Sequence, residues 1–194
     1  MQMSGKPSLS LLVSDACVLI DLAKAEALGL LADMIRNGIA EIYVPKEVLD
    51  EVEKEVSESA LLALGVKRIE KTWQEAMELV ELYEQKFLPS EADCLLYILG
   101  RHHGLTIWTN DTALRKKSSL SGVPISWCFE ELAKLVEFGL RTADEIVAVA
   151  KRVEETNDFQ KGLSARVRTR LQAIGLNIRR RDIGNYAPDR PRGF

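Results

Sequence analysis

Short apolar runs that alternate with segments of helical periodicity constrain the fold of this chain more than any other feature. The clearest runs are LSLLV, AEIYVP, LTIWT and VPISW, and a weaker one lies near residues 66–69. Between these runs, apolar residues recur every three or four positions, as in amphipathic helices. We predict the order β-α-α-β-α-β-α-α-β-α-β-α-α. This alternation indicates a three-layer α/β/α fold with a central, mostly parallel sheet, followed by C-terminal helices and a basic tail.

The chain has 194 residues, which suits one ordinary domain with an appendage. We assign residues 1–157 to the α/β domain with its C-terminal helical addition, and residues 158–194 to a basic tail. Within the tail, LSARVRTRLQAIGL suits one more helix. The end, RRRDIGNYAPDRPRGF, is rich in charge and proline, and we expect it to be disordered or ordered only on binding.

The net charge of −3 conceals two regions of opposite sign. Residues 161–194 contain nine Lys or Arg against two Asp, whereas residues 1–160 contain 17 basic and 27 acidic side chains. Such a tail can neutralise the acidic body or contact an anionic partner such as nucleic acid. In the second case the contacts to phosphates would come from Arg179, Arg180, Arg181, Arg190 and Arg192.

The apolar runs are too short to cross a bilayer, and the first residues lack the long apolar stretch of a secretion signal. We therefore expect a cytoplasmic protein without membrane contact. Cys17, Cys94 and Cys128 are far apart, which favours free thiols, and no zinc-binding spacing is present.

Acidic residues follow the predicted strands or begin the helices after them. They are Asp15, Glu47, Glu51, Glu91, Asp93 and Asp111. Parallel sheets bind ligands at the carboxyl ends of their strands, so these acids can converge on one edge. Each also has a structural interpretation. Asp15 and Asp111 suit helix N-caps, Ser90 to Asp93 resembles a capping box, and Glu51 can lie on a solvated helix face.

Taken together, the acids indicate a cation site. Gathered carboxylates raise one another's pKa, and a cation offsets that cost. Carboxylate oxygens without cysteine or histidine favour Mg²⁺ or Mn²⁺ over Zn²⁺. Thr109 and Asn110 add neutral polar groups at the same corner.

Four segments resemble the PIN domain, the ribonuclease fold of VapC-type toxins and some RNA-processing nucleases. They are SDACVLIDL, VPKEVLDEV, SEADCLLYILGRHHGLTIWTND and GVPIS, within residues 9–135. The resemblance implies that Asp15, Glu51, Asp93 and Asp111 are catalytic metal ligands and that Thr109 supports them. Glu47 competes with Glu51, and Glu91 with Asp93. Pro45, Val48 and Glu51 have the spacing of one PIN subgroup.

The chain departs from that family after the first strand. Many VapC-type toxins read Asp-Thr/Ser-Asn there, whereas this chain reads Asp15-Ala16-Cys17. The hydroxyl and the amide are absent, so we expect fewer hydrogen bonds to support the first ligand.

The resemblance implies hydrolysis of RNA phosphodiester bonds with Mg²⁺ or Mn²⁺, as the toxin of a toxin–antitoxin pair. An antitoxin and a homodimeric partner are consistent with that role. An RNA-processing nuclease and a catalytically inactive RNA- or protein-binding module are the alternatives. A haloacid-dehalogenase-like phosphatase is disfavoured because Cys17 stands where its second Asp is needed.

Overall fold

The central element of the protein is a five-stranded, wholly parallel sheet with the strand order β3-β2-β1-β4-β5. This computed structural model describes residues 9–157 and 160–183, with side chains up to residue 173. The strands are β1 (Ser10–Ser14), β2 (Ala40–Pro45), β3 (Lys67–Ile69), β4 (Thr106–Trp108) and β5 (Ile125–Ser126).

Helices connect the strands and continue after the last one. The described helices are α1 (Ala16–Lys24), α2 (Gly29–Arg36), α3 (Lys46–Val52), α4 (Glu58–Ala63), α5 (Trp73–Glu84), α6 (Glu91–His103), α7 (Thr112–Leu120), α8 (Cys128–Glu137), α9 (Ala143–Thr156) and α10 (Leu163–Ile183).

The helices form two layers that cover the sheet. In one, α1 contacts α3 and α9, while α2 contacts α8; in the other, α6 packs against α5 and α7. Apolar side chains on both faces, such as Leu12, Ile42 and Ile107, are fully buried. The three-layer α/β/α prediction is therefore confirmed, because a sheet buried on both sides needs helices on both.

The element order follows the prediction except near residue 60. The weak third strand is present as β3, but helix α4 before it was not predicted. Ser57 Oγ caps α4 by accepting the Ala60 N–H at 3.3 Å, and Leu61 is its buried residue. A helix of six residues is too short to show helical periodicity in an apolar sequence.

Helix α10 packs against α8 and α9 at the end of the described chain. Its residues Leu163, Val167 and Leu171 are buried in the same hydrophobic cluster as the sheet. The side chains of the predicted phosphate contacts Arg179, Arg180 and Arg181 lie outside the described part, as do residues 184–194. Within the described residues, no helix combines the length and apolar character needed to cross a bilayer.

Candidate functional site

The carboxyl ends of β1 and β4 lie side by side where the strand order reverses direction. From β1 the sheet continues through β2 to β3 on one side, whereas β5 lies beyond β4 on the other. Ser14 pairs with Trp108, and the Asp15 N–H donates to the Trp108 carbonyl oxygen at 3.0 Å. Parallel sheets form a ligand crevice at such a reversal. Asp15 therefore lies at the position where the topology favours a site.

Asp15 and Asp111 both occupy helix N-cap positions, but only Asp111 caps its helix with its side chain. Asp111 Oδ1 accepts the Leu114 N–H at 2.6 Å at the start of α7. Asp15 makes no side-chain capping bond to α1. Its carboxylate instead accepts hydrogen bonds from Thr109 and Cys17. The capping interpretation therefore applies to Asp111 and does not explain Asp15.

The Thr109 hydroxyl connects these two aspartates. This fully buried side chain donates to Asp15 Oδ2 at 2.5 Å and accepts the Asp111 N–H at 2.8 Å. One hydroxyl thus orients the carboxylate that follows β1 and the turn that follows β4. A buried hydroxyl with both a donor and an acceptor role satisfied holds its neighbours in a defined geometry.

Cys17 supplies a contact to Asp15 that we did not expect from the sequence. Its thiol donates to Asp15 Oδ2 at 2.9 Å, and its sulfur accepts the Asn110 N–H at 3.2 Å. Burial, followed by the charge of Asp15, raises the pKa of the Cys17 thiol well above its ordinary value, so the group stays protonated as a donor. The Ala16-Cys17 departure therefore leaves Asp15 supported, although by a weaker donor than a hydroxyl.

Glu51 on α3 lies within electrostatic range of Asp15 and Asp93, whereas Glu47 pairs with a lysine. Glu47 forms an ion pair with Lys71 in the segment before α5. Glu51 lies on the next turn of α3, which contacts α6. The pKa of Glu51 is raised by partial burial and then by the negative charges of Asp15 and Asp93. Of the two glutamates, the structure brings Glu51 to the other acids.

Asp93 lies in the first turn of α6, beside exposed Glu91. Ser90 Oγ caps this helix by accepting the Asp93 N–H at 3.0 Å. Burial raises the pKa of Asp93, the Ser90 hydroxyl opposes that shift, and the charges of Asp15 and Asp111 raise the pKa further. The half-buried Asp93 carboxylate therefore belongs to the same electrostatic cluster as the two strand-end aspartates.

These four acids form what we call the acidic cluster: Asp15, Glu51, Asp93 and Asp111. They come from four separate helix starts or turns, yet Asp15 acts on both Glu51 and Asp93, and Asp111 acts on Asp93. Like charges disfavour each other's ionisation, so the cluster holds its full negative charge only at an energetic cost. A cation placed among them would offset that cost.

The acidic cluster suits a hard divalent cation, because every potential ligand atom in it is a carboxylate oxygen. Among the described residues, however, no three His, Cys, Asp or Glu side chains are gathered closely enough to form a ready-made metal site. The carboxylates lie within electrostatic reach of one another but are not drawn together for coordination. Their mutual repulsion favours such a separation.

Asp21 supports Asn110 from α1. The sequence predicted Asn110 at this corner but did not predict Asp21. Asp21 is 3% exposed, and its carboxylate accepts Asn110 Nδ2 at 2.8 Å and Asn157 Nδ2 at 2.9 Å. Burial raises the pKa of Asp21, while these two amides oppose the shift. The bonds tie the turn after β4 to α1 and to the end of α9. Asp21 follows Cys17 by one helical turn, which is the only sequence signal of this role.

A parallel sheet with acids at its reversal point defines the class of the protein, an α/β/α domain with an acidic ligand crevice. A family model described as the PIN domain matches residues 11–155, and the chain therefore belongs to the PIN-domain family. PIN domains are generally nucleases, and those nucleases typically use divalent metal ions. No curated protein gives a significant match to the chain.

Proposed function

We propose that this protein is an endoribonuclease that hydrolyses RNA phosphodiester bonds with Mg²⁺ or Mn²⁺. The observation that carries the proposal is the position of Asp15 and Asp111 at the carboxyl ends of β1 and β4 in a PIN-family chain, joined by the Thr109 hydroxyl and within electrostatic range of Asp93. Asp15, Glu51, Asp93 and Asp111 would hold the ion, and Thr109 would position Asp15. A bound divalent cation would lower the pKa of a water molecule and offset charge on the phosphate.

The residues of the chain have distinct tasks in this proposal. Thr109 and Cys17 both donate to Asp15 Oδ2, which fixes the orientation of that carboxylate. The bond from the Leu114 N–H fixes Asp111. Such fixed ligands avoid reorganisation when the substrate arrives. Glu51 and Asp93 add negative charge, and because burial and neighbouring charges raise the pKa of both, a bound cation would favour their ionised forms.

For the biological role, we propose the toxin of a toxin–antitoxin pair that acts in the cytoplasm, with an antitoxin as the protein partner and a homodimer as the assembly. The support is the resemblance of the chain to VapC-type sequences. A nuclease of RNA maturation would use the same site. A small antitoxin-like reading frame beside the gene would favour the toxin role.

The proposed function is tested with Asp15→Asn and Asp111→Asn, since each variant removes a charge and keeps the shape of the side chain. Asn also caps helices as well as Asp, so α7 stays intact in Asp111→Asn. We expect RNA cleavage to fall by about 100-fold or more in each variant, with unchanged circular dichroism. Cleavage by the wild type is expected to require Mg²⁺ or Mn²⁺ and to stop with EDTA.

Asp144→Asn is the matched control, because Asp144 is an exposed acid in the first turn of α9, outside the acidic cluster. It is expected to cleave at the wild-type rate. If both cluster variants cleave RNA as fast as the wild type, the proposed function is wrong. Binding of RNA by the wild type without cleavage would instead favour the inactive binding module.

A further inference from the structure

A small polar pocket lies next to the acidic cluster, on the other side of the turn that carries Asp111. Its volume is about 280 Å³. Its lining comes from the turn after β4, from α7, from the start of α8, from the segment before α10 and from α10 itself: Asn110, Thr112, Arg115, Trp127, Glu130, Gln160 and Arg166. Asn110 and Thr112 flank Asp111 in the sequence, so the pocket and the acidic cluster share one turn.

Asn110 and Arg115, which line this pocket, each have a buried polar atom without a hydrogen-bond partner among the described residues. The two atoms are Asn110 Oδ1, an acceptor, and Arg115 Nε, a donor. The Asn110 amide is oriented by Asp21, which accepts its Nδ2 and leaves Oδ1 for another partner. Buried polar atoms are nearly always hydrogen-bonded, so a ligand that supplies the opposite acceptor and donor would satisfy both atoms.

An aromatic ring and a loosely held cation complete the pocket. The Arg166 guanidinium carbon lies 6.0 Å from the centre of the half-buried Trp127 ring, at the outer limit of a cation–π contact. Arg166 is exposed, and its charge also acts on Glu154. Nucleobases stack on aromatic rings and on guanidinium planes.

The pocket is lined by both positive and negative side chains, and this mixture indicates which part of a nucleotide fits into it. A pure phosphate site would exclude the Glu130 carboxylate, which lines this pocket together with Arg115 and Arg166. The edge of a nucleobase carries both donors and acceptors, and it can pair with an amide oxygen and a guanidinium N–H at once. The pocket is also slightly smaller than sites for drug-sized ligands, which suits a single base.

We propose that this pocket binds the base of a nucleotide of the RNA strand beside the scissile phosphate and so gives the protein a base preference. The inference rests on the proposed ribonuclease function, and it adds a specificity site built from α7, α8 and α10. Asn110 and Arg115 read the base edge, while Trp127 and Arg166 hold its face.

The test uses an RNA library with randomised positions, which is cleaved by the full chain and sequenced at the cut ends. We expect a base preference at a position flanking the cut. Arg115→Gln and Arg166→Gln are each expected to reduce that preference by about tenfold, because the first removes a charged donor to the base edge and the second removes the guanidinium plane that holds its face. The matched control is Arg168→Gln, an exposed arginine of α10 that does not line the pocket, and it should keep the wild-type profile.

Two outcomes overturn the inference. One is a base profile that is identical in the wild type and both pocket variants. The other is tight binding of free AMP, CMP, GMP or UMP in calorimetry, lost in the pocket variants while the base profile stays unchanged. The second result would indicate a site for free nucleotides.

A failure of the nuclease proposal is distinguished by a second measurement that needs no cleavage. The same library is partitioned by filter binding with the wild type and with each variant, and the retained RNA is sequenced. Absence of cleavage by every protein contradicts the proposed function alone. If the RNA retained by Arg166→Gln loses the base enrichment of the wild type and the RNA retained by Arg168→Gln keeps it, the base-binding pocket is still supported. Equal base enrichment with all three proteins would overturn the inference.

Discussion

Thr109 determines how two strand-end aspartates are held relative to each other. Its hydroxyl is the donor to Asp15 and the acceptor from the Asp111 N–H, and neither bond can be replaced by water because the side chain is fully buried. The resemblance to the PIN family implied that Thr109 supports the four acids, but it did not show which of them it contacts. The contact with Asp15 spans 94 residues, so only the pairing of β1 with β4 creates it.

We predict that Thr109→Val reduces both activity and stability. The variant keeps the volume but leaves Asp15 with the Cys17 thiol as its remaining side-chain donor and the Asp111 N–H without its acceptor. Loss of a buried hydrogen bond should lower the free energy of unfolding by about 1–3 kcal/mol, as measured by urea denaturation. RNA cleavage should fall as well. Thr109→Ser keeps the hydroxyl and should remain near the wild type in both measurements. If Thr109→Val and Thr109→Ser showed the same stability and the same cleavage rate, the role assigned to the hydroxyl would be contradicted.

At the scale of elements, helix α6 is set against the sheet by a glycine. A Cβ atom at Gly100 would lie 2.7 Å from Val123 Cγ1, 3.1 Å from Ile107 Cγ1 and 3.2 Å from the Leu105 carbonyl oxygen. This close approach of α6 to β4 also determines where the Asp93 end of the helix lies. Helical periodicity predicted α6 and its end at Gly104, whereas the need for a glycine at position 100 depends on tertiary contacts.

We predict that Gly100→Ala destabilises the protein, although alanine is the better helix former by about 1 kcal/mol. The added methyl group meets packed side chains and a backbone oxygen, and such overpacking costs about 1–3 kcal/mol. Thermal or urea unfolding measures the change. Gly29→Ala is the control, since a Cβ there has no neighbour within 4 Å, and it should be neutral or slightly stabilising. A stabilised Gly100→Ala protein would show that the helix is packed less closely.

Helix α5 is stabilised by a capping box that depends on pH. Burial disfavours the charged form of Glu75, but hydrogen bonds from the Thr72 N–H and hydroxyl and from His103 outweigh it and hold the pKa of Glu75 below its ordinary 4.5. The unfolded state therefore takes up the proton first as the pH falls. The stabilising contribution is complete above the unfolded pKa and is lost as the pH falls through the folded pKa.

We predict that Glu75→Gln makes the urea midpoint less sensitive to acid than in the wild type. The difference should appear below the ordinary glutamate pKa of 4.5, because only the wild type must protonate Glu75 to lose the cap. Urea unfolding followed at several acidic pH values measures it. Glu84→Gln, an exposed residue of the same helix, should follow the wild-type curve. Parallel curves for wild type and Glu75→Gln would rule out this linkage.

At the scale of the whole molecule, α10 extends the packed body beyond the part that matches the family. The family match ends at residue 155, but Leu163 of α10 is fully buried in the main hydrophobic cluster. The same helix carries Arg166 to the pocket beside Asp111. Its basic residues therefore begin next to the site, while the final residues of the tail lie outside the described chain.

We predict that Leu163→Ala lowers the free energy of unfolding by about 2–5 kcal/mol, the usual cost of truncating a buried leucine. Chemical denaturation measures the change in a single transition. Gln172→Ala, at an exposed position of α10, should have little effect. An unchanged stability of Leu163→Ala would mean that α10 contributes nothing to the folded body.

The sequence by itself determined the α/β class, the order of most elements and the positions of acids at strand ends, because periodicity and turn chemistry are local properties. The tertiary structure decided which acidic side chains lie close enough to interact electrostatically. It pairs Glu47 with Lys71 and brings Glu51 to Asp15 and Asp93. It also replaces the missing hydroxyl and amide with the Cys17 thiol and places Asp21 behind Asn110. Apart from the local bond from Cys17 to Asp15, these contacts join residues far apart in the chain, and only the packing of the sheet and its helices brings them within reach.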